Sequence, residues 1–107
     1  MNSVSKQPES TEFEFTAPLL RWELNRASYH VVMLPEDVSD EIAALPLPPA
    51  GFGSVKVMPT VGAQTWSTSV FPSSSEGVYW MPVKKLVMKR EGLEEGSAVT
   101  VRLAIVR

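Results

Sequence analysis

The run VGAQTWSTSVFP, Val61 to Pro72, constrains this chain more than any other stretch. Gly62 supplies a residue that takes positive φ without a Cβ penalty, as a tight turn between strands requires. Directly after it, Trp66, Thr68 and Val70 alternate with Thr65, Ser67, Ser69 and Phe71. That period of two places successive side chains of a strand on opposite faces. Its β-branched and aromatic residues suit a pleated, half-buried surface. The run dictates β-architecture and supplies no nucleophile elbow, phosphate loop or metal-ligand spacing.

The same period recurs elsewhere. Phe13 and Phe15 oppose Glu12, Glu14 and Thr16; Val55, Val57 and Val61 oppose Lys56, Met58 and Thr60; Val99, Val101, Leu103 and Ile105 oppose Ala98, Thr100, Arg102 and Ala104. A strand over Ser28 to Leu34 is expected after a turn at Asn25 and Arg26, and a short one over Gly77 to Met81. Pro18 bends or bulges the first strand or marks an edge. Pro35 is expected to open a helix with Val38, Ile42 and Leu45 as its apolar stripe, Glu36, Asp37 and Asp40 favouring the positive end of the dipole. Pro82 opens a second, closed by Gly92, with Val83, Leu86 and Val87 as its stripe. The prolines between Leu45 and Gly53 exclude regular structure there. Residues 1–11 are polar and aperiodic, so a disordered tail is expected ahead of a single domain over 12–107.

The order reads β-β-α-β twice, with Leu34-Pro35 and Met81-Pro82 at matching places, the mark of a weak internal duplication. Six short strands would leave open edges, and closure removes them. The expected fold is mainly β: a small six-stranded closed or nearly closed barrel with two short capping helices, ordered ββαβ-ββαβ.

With 44% hydrophobic and 21% charged residues, the chain has the means for one core. It contains no cysteine, which excludes disulfides, thiolate nucleophiles and Cys-ligated metals. The single histidine, His30, lies on the strand face opposite Tyr29, Val31 and Met33 and closes no triad or His-rich metal site. No metal, cofactor or enzymatic activity is expected. No apolar stretch approaches the roughly 20 residues that span a bilayer, and no secretory h-region opens the chain. A cytoplasmic protein without a membrane partner is expected. Charge is uneven: residues 1–54 carry −5 and residues 55–107 carry +3. The plain expectation is that the two halves attract each other across the fold.

Two groups of residues are candidates for ligand binding. In a barrel mouth, Trp66 would be a stacking wall, with Thr65, Thr68 and Ser69 as hydroxyl partners of a small polar ligand and Tyr79 on the next strand. Against this stands the reading in which Trp66 is core and the hydroxyls are ordinary strand formers. Lys84 and Lys85, with Lys89 and Arg90, form the basic cluster. They would meet phosphates in a nucleic-acid binder, or simply complement the negative end of a solvated helix. A pI near 5.4 is a poor electrostatic match for nucleic acid. The expected function is a non-enzymatic module binding an unknown small polar ligand or a protein partner, alone or as a homo-oligomer.

The stretches FEFTAPLL, YHVVMLPEDV, GFGSVKVMPTVGAQTWSTSVFP, YWMPVKKLVMKREGLEEG and VTVRLAIV resemble a bacterial family of small β-barrels of unknown function, often joined to an OmpD-associated (bacteriocin-protection) segment. The resemblance runs from Phe13 to Val106. It implies the barrel and brings no activity; as the sequence stops at Arg107, the OmpD-associated segment is not expected here. MPVKKLVMKREGLEEGSAVTVRL is also similar to the strand-helix-turn-strand unit of AbrB-type transcription factors, and a DNA-binding regulator of that kind is the alternative function.

Overall fold

The computed structural model describes residues 12–46 and 53–106. The expected tail over 1–11, most of the proline-rich stretch (47–52) and Arg107 lie outside the described residues. The chain forms β1 (Glu12–Pro18), β2 (Leu20–Leu24), β3 (Ala27–Met33), α1 (Glu36–Ala43), β4 (Val55–Val61), β5 (Gln64–Thr65), β6 (Thr68–Pro72), β7 (Tyr79–Pro82), α2 (Lys85–Glu91) and β8 (Ala98–Ile105).

The architecture corrects the expected six-stranded barrel. Eight strands make one antiparallel sheet, ordered β1-β8-β4-β6-β7-β3-β2 with the short β5 added to β4, and this sheet curls into a half-barrel without closing. Two causes are local. Pro18 carries the last β1–β8 pair, with Ala98, and the chain then resumes as β2 paired to β3. The expected fourth strand divides at Trp66 and Ser67, where Trp66 N–H donates to the Pro59 carbonyl at 3.2 Å. The order is thus βββαββββαβ rather than two ββαβ units.

The helices start later than expected. Pro35 is the N-cap of α1 rather than its first residue, and Pro82 still belongs to β7 while Lys84 is the N-cap of α2. Because α2 begins at Lys85, its apolar stripe reduces to Val87; Leu86 is 53% exposed, and Val83 is buried ahead of the helix. Gly92 ends α2 in the left-handed region (φ 65°), as its place after the last apolar residue implies.

The core fills the concave side. Phe15 and Ala17 of β1 and Leu19 just after it meet Val99, Val101 and Leu103 of β8, Val57 and Val61 of β4, Val70, Met81 and Val32; α1 adds Val38 and Ile42, and α2 adds Val87. Trp66 belongs to this core, 8% exposed, with its indole Nε1 buried and unpartnered. Two turns set the register. Asn25 and Arg26 both take positive φ (53° and 68°) in the two-residue β2–β3 connection, which matches a type I′ turn without its usual glycine. At the β4–β5 turn Gly62 (φ 58°) leaves room for Glu91 of α2, whose carboxylate occupies the space a Cβ would take. Glu91 Oε2 accepts from Ala63 N and Gln64 Nε2, each at 3.2 Å, and so ties α2 to the turn.

Candidate functional site

The seven residues expected at a binding site do not converge. Trp66 is in the core. Thr65 is exposed on β5, its Oγ1 2.7 Å from Thr60 Oγ1. Thr68 is half-buried opposite Val57, and Ser69 half-buried opposite Lys56 on the other side of the sheet. Lys84 and Lys85 are exposed at the start of α2. Tyr79 is separate again: it lines a cleft of about 210 Å³ with Ser39, Asp40 and Ala43 of α1 and Ser73 and Val78 of the β6–β7 connection. Ser39, 2% exposed, fixes that junction by accepting from Tyr79 N at 3.0 Å.

A larger feature lies on the convex side of β2, β3, β7 and β6. Val32, Met81 and Val70 point into the core, so their neighbours point out. The outward set follows the register: Leu20 opposite Val31, Trp22 opposite Tyr29, and Met33 opposite Trp80, which is in turn opposite Phe71. Trp80 is the hub. Its ring lies 5.2 Å from that of Trp22 at 60° and 4.8 Å from that of Phe71 at 31°, tilted contacts favoured by the ring quadrupoles. Val31 is fully buried although it faces away from the core, so the outer face forms a second, smaller apolar layer. Tyr29 (47% exposed) and Leu24 (62% exposed) extend that layer to solvent along the hairpin.

The sequence reading missed this face. Its local signal is present in LLRWELNRASY: with Asn25 and Arg26 as a two-residue turn, Trp22 and Tyr29 stand the same distance from the turn and must pair. Joining them to Trp80 and Phe71 needs the β3–β7 and β7–β6 registers, which no local pattern encodes.

Among the described residues, the carboxylates of α1 (Glu36, Asp37, Asp40 and Glu41) form no ion pair with a cation of the second half; the ion pair Arg21–Glu23, at 2.7 Å, joins two residues of one hairpin. No group of three or more His, Asp or Glu that could hold a metal occurs among the described residues. No helix among them is long and apolar enough to cross a membrane.

Residues 15–103 match a protein-family model described as a domain of unknown function, DUF1905. The bacterial setting and the OmpD-associated segment implied by the resemblance are not part of that match. No curated protein matches the chain.

Proposed function

We propose that this chain, which belongs to the DUF1905 family, is a non-enzymatic binding module whose partner seats on the convex aromatic face of β2, β3, β7 and β6. The observation that carries the reading is the row Tyr29–Trp22–Trp80–Phe71 on the side of the sheet turned away from the core. Contiguous apolar surface is where a soluble domain meets something else, and Tyr and Trp are the residue types that dominate the energetics of such contacts. The face offers ring surface and shape rather than groups placed to transfer protons. A protein partner, a second copy included, fits it better than the small polar ligand anticipated from the hydroxyls of β6.

The three tryptophans make the reading testable, because Trp22 and Trp80 lie on the face and Trp66 lies in the core. In ¹⁵N-labelled protein, p-cresol and indole serve as probes for the side chains that interfaces insert. The expected result is that the indole N–H signals of Trp22 and Trp80 shift in a saturable way while that of Trp66 stays in place. Equal shifts at all three, or saturable shifts confined to the cleft around Tyr79, would overturn the assignment of the face.

The regulator reading draws on the exposed Lys84, Lys85, Lys89 and Arg90. It competes with four α1 carboxylates in the same small domain, separated by at most a few Debye lengths of about 8 Å. Duplex DNA binding tighter than about 10 μM that weakens with salt and is lost in the Lys84→Glu, Lys85→Glu double variant would favour the regulator.

A further inference from the structure

The outer face of the opposite half of the sheet is built differently. Glu14 on β1 stands directly across from Arg102 on β8, and Thr60 on β4 flanks Arg102 on its other side. Opposite charges in that relation ordinarily join as a cross-strand pair. Here neither side chain forms an ion pair or hydrogen bond among the described residues. Instead Glu14, Arg102, Thr60, Thr100 and Gly62 line an open depression of about 180 Å³.

Its walls are ordered. Thr60 Oγ1 is bonded to Thr65 Oγ1 at 2.7 Å, and Thr100 Oγ1 to Thr16 Oγ1 at 2.8 Å. In each pair one hydroxyl hydrogen bridges the two oxygens, and the other remains to be donated elsewhere. Gly62 contributes no side chain to the floor. Glu91, the carboxylate beside that turn, already accepts two hydrogen bonds at Oε2, from Ala63 N and Gln64 Nε2. The depression thus presents a guanidinium with five donors, one carboxylate, and Thr60 and Thr100 in hydroxyl pairs that each retain one hydrogen to donate.

We propose that this depression binds a small zwitterion of the α-amino acid class, its carboxylate held by Arg102 and the threonine hydroxyls and its ammonium by Glu14. A simple anion would meet Arg102 but be repelled by Glu14, and a simple cation the reverse; a ligand carrying both charges satisfies both groups. A planar guanidinium suits a carboxylate bidentately. The volume lies below the roughly 300–1,000 Å³ of drug-sized sites, which suits a single amino acid with a short side chain. This inference is independent of the aromatic face.

The test is a titration of the full chain followed by backbone amide shifts, with L-alanine, acetate and ethylammonium as probes at low salt. L-alanine is expected to saturate shifts at residues 14, 60, 100 and 102 with a millimolar dissociation constant, acetate and ethylammonium binding about ten-fold more weakly or less. Arg102→Gln and Glu14→Gln should each weaken L-alanine about ten-fold, and Glu14→Gln should at the same time bring acetate closer to L-alanine. Both positions are exposed, so an unchanged melting temperature certifies the fold; Thr100→Val, which removes a hydroxyl of the lining, should weaken L-alanine by less than either. Acetate binding as tightly as L-alanine to the unmodified protein would identify an anion site and overturn the proposal. So would the absence of saturation by L-alanine up to about 50 mM.

Discussion

The two halves of the curled sheet turn opposite characters to solvent, and the stretch that joins them shows how. From Glu12 to Pro18 the outward residues are Glu12, Glu14, Thr16 and Pro18, while Phe13, Phe15, Ala17 and, just beyond, Leu19 point inward. Past Leu19 the pattern inverts: Leu20, Trp22 and Leu24 lie outward, and Arg21 and Glu23 take the other side, paired at 2.7 Å. The backbone keeps alternating while the apolar residues move to the other set. The side that bears apolar residues therefore reports which layer lies beyond the sheet at that point. On the outer side of β1, Glu12, Glu14, Thr16 and Pro18 are exposed; on the outer side of β2, Trp22 joins the ring layer of Trp80 and Phe71.

The largest expected effects test whether the ring layer is a true second layer. Trp66→Ala in the core should cost about 3–5 kcal/mol in a denaturant melt. Trp80→Ala, removing the hub of the outer layer, should cost about 2 kcal/mol, against under about 0.5 kcal/mol for Arg102→Gln on the polar half. A Trp80→Ala loss as small as that of Arg102→Gln would erase the distinction between the halves. Trp66→Phe sharpens the core value: since Nε1 has no partner, the expected cost is the lost ring volume, about 1–2 kcal/mol, with no added hydrogen-bond penalty.

The turns of the two halves differ in the same measurable way. In the polar half Gly62 is required, since an alanine there would both adopt φ 58° and displace the Glu91 carboxylate; Gly62→Ala should lower stability by about 1–2 kcal/mol in the same melt. A loss equal to that of Glu91→Gln would reduce the turn's requirement to the Glu91 contact alone. In the aromatic half the turn is suboptimal. Arg26 sits at φ 68°, so Arg26→Gly should raise stability by about 0.5–1 kcal/mol, the smaller of the two turn effects, and a decrease would show that the Arg26 side chain holds the hairpin.

The parts of the fold legible in the sequence are those where one face is core and the other water. β8 is the clearest case: Val99, Val101, Leu103 and Ile105 are buried and their neighbours are not. β1 and β4 read the same way, and the burial of Trp66 follows from its phase with Val70. β2 was not separated from β1 because the period of two runs on past Pro18, so that Leu20 to Leu24 reads as the far half of one bent strand although its apolar residues have moved to the other face. The break between β5 and β6 falls at Trp66 and Ser67, where Trp66 keeps a bond to the Pro59 carbonyl and puts its ring in the core, and the unbroken alternation of the run gives no sign of it. Of the anticipated site residues, Thr65 and Ser69 share the outer face of the sheet, opposite Thr60 and Lys56, while Trp66 is in the core and Tyr79 lies in the cleft beside α1, because period-two alternation assigns a face but not which strands lie beside it. The pair Glu14 and Arg102 depends on the β1–β8 register, a relation between opposite ends of the chain.

That pairing also sets a timetable. Among the described residues β1 has β8 as its sole ladder partner, and Thr16 and Thr100, hydrogen-bonded across it, lie 84 positions apart. During synthesis the first strand leaves the ribosome with its amides and carbonyls unclaimed and waits for nearly the whole domain to follow. Such a nonlocal closure slows folding and leaves an unpaired edge for that interval. The outward glutamates of β1, Glu12 and Glu14, stand on the strand that waits, and charge on an unpaired strand is what discourages a premature partner from joining it.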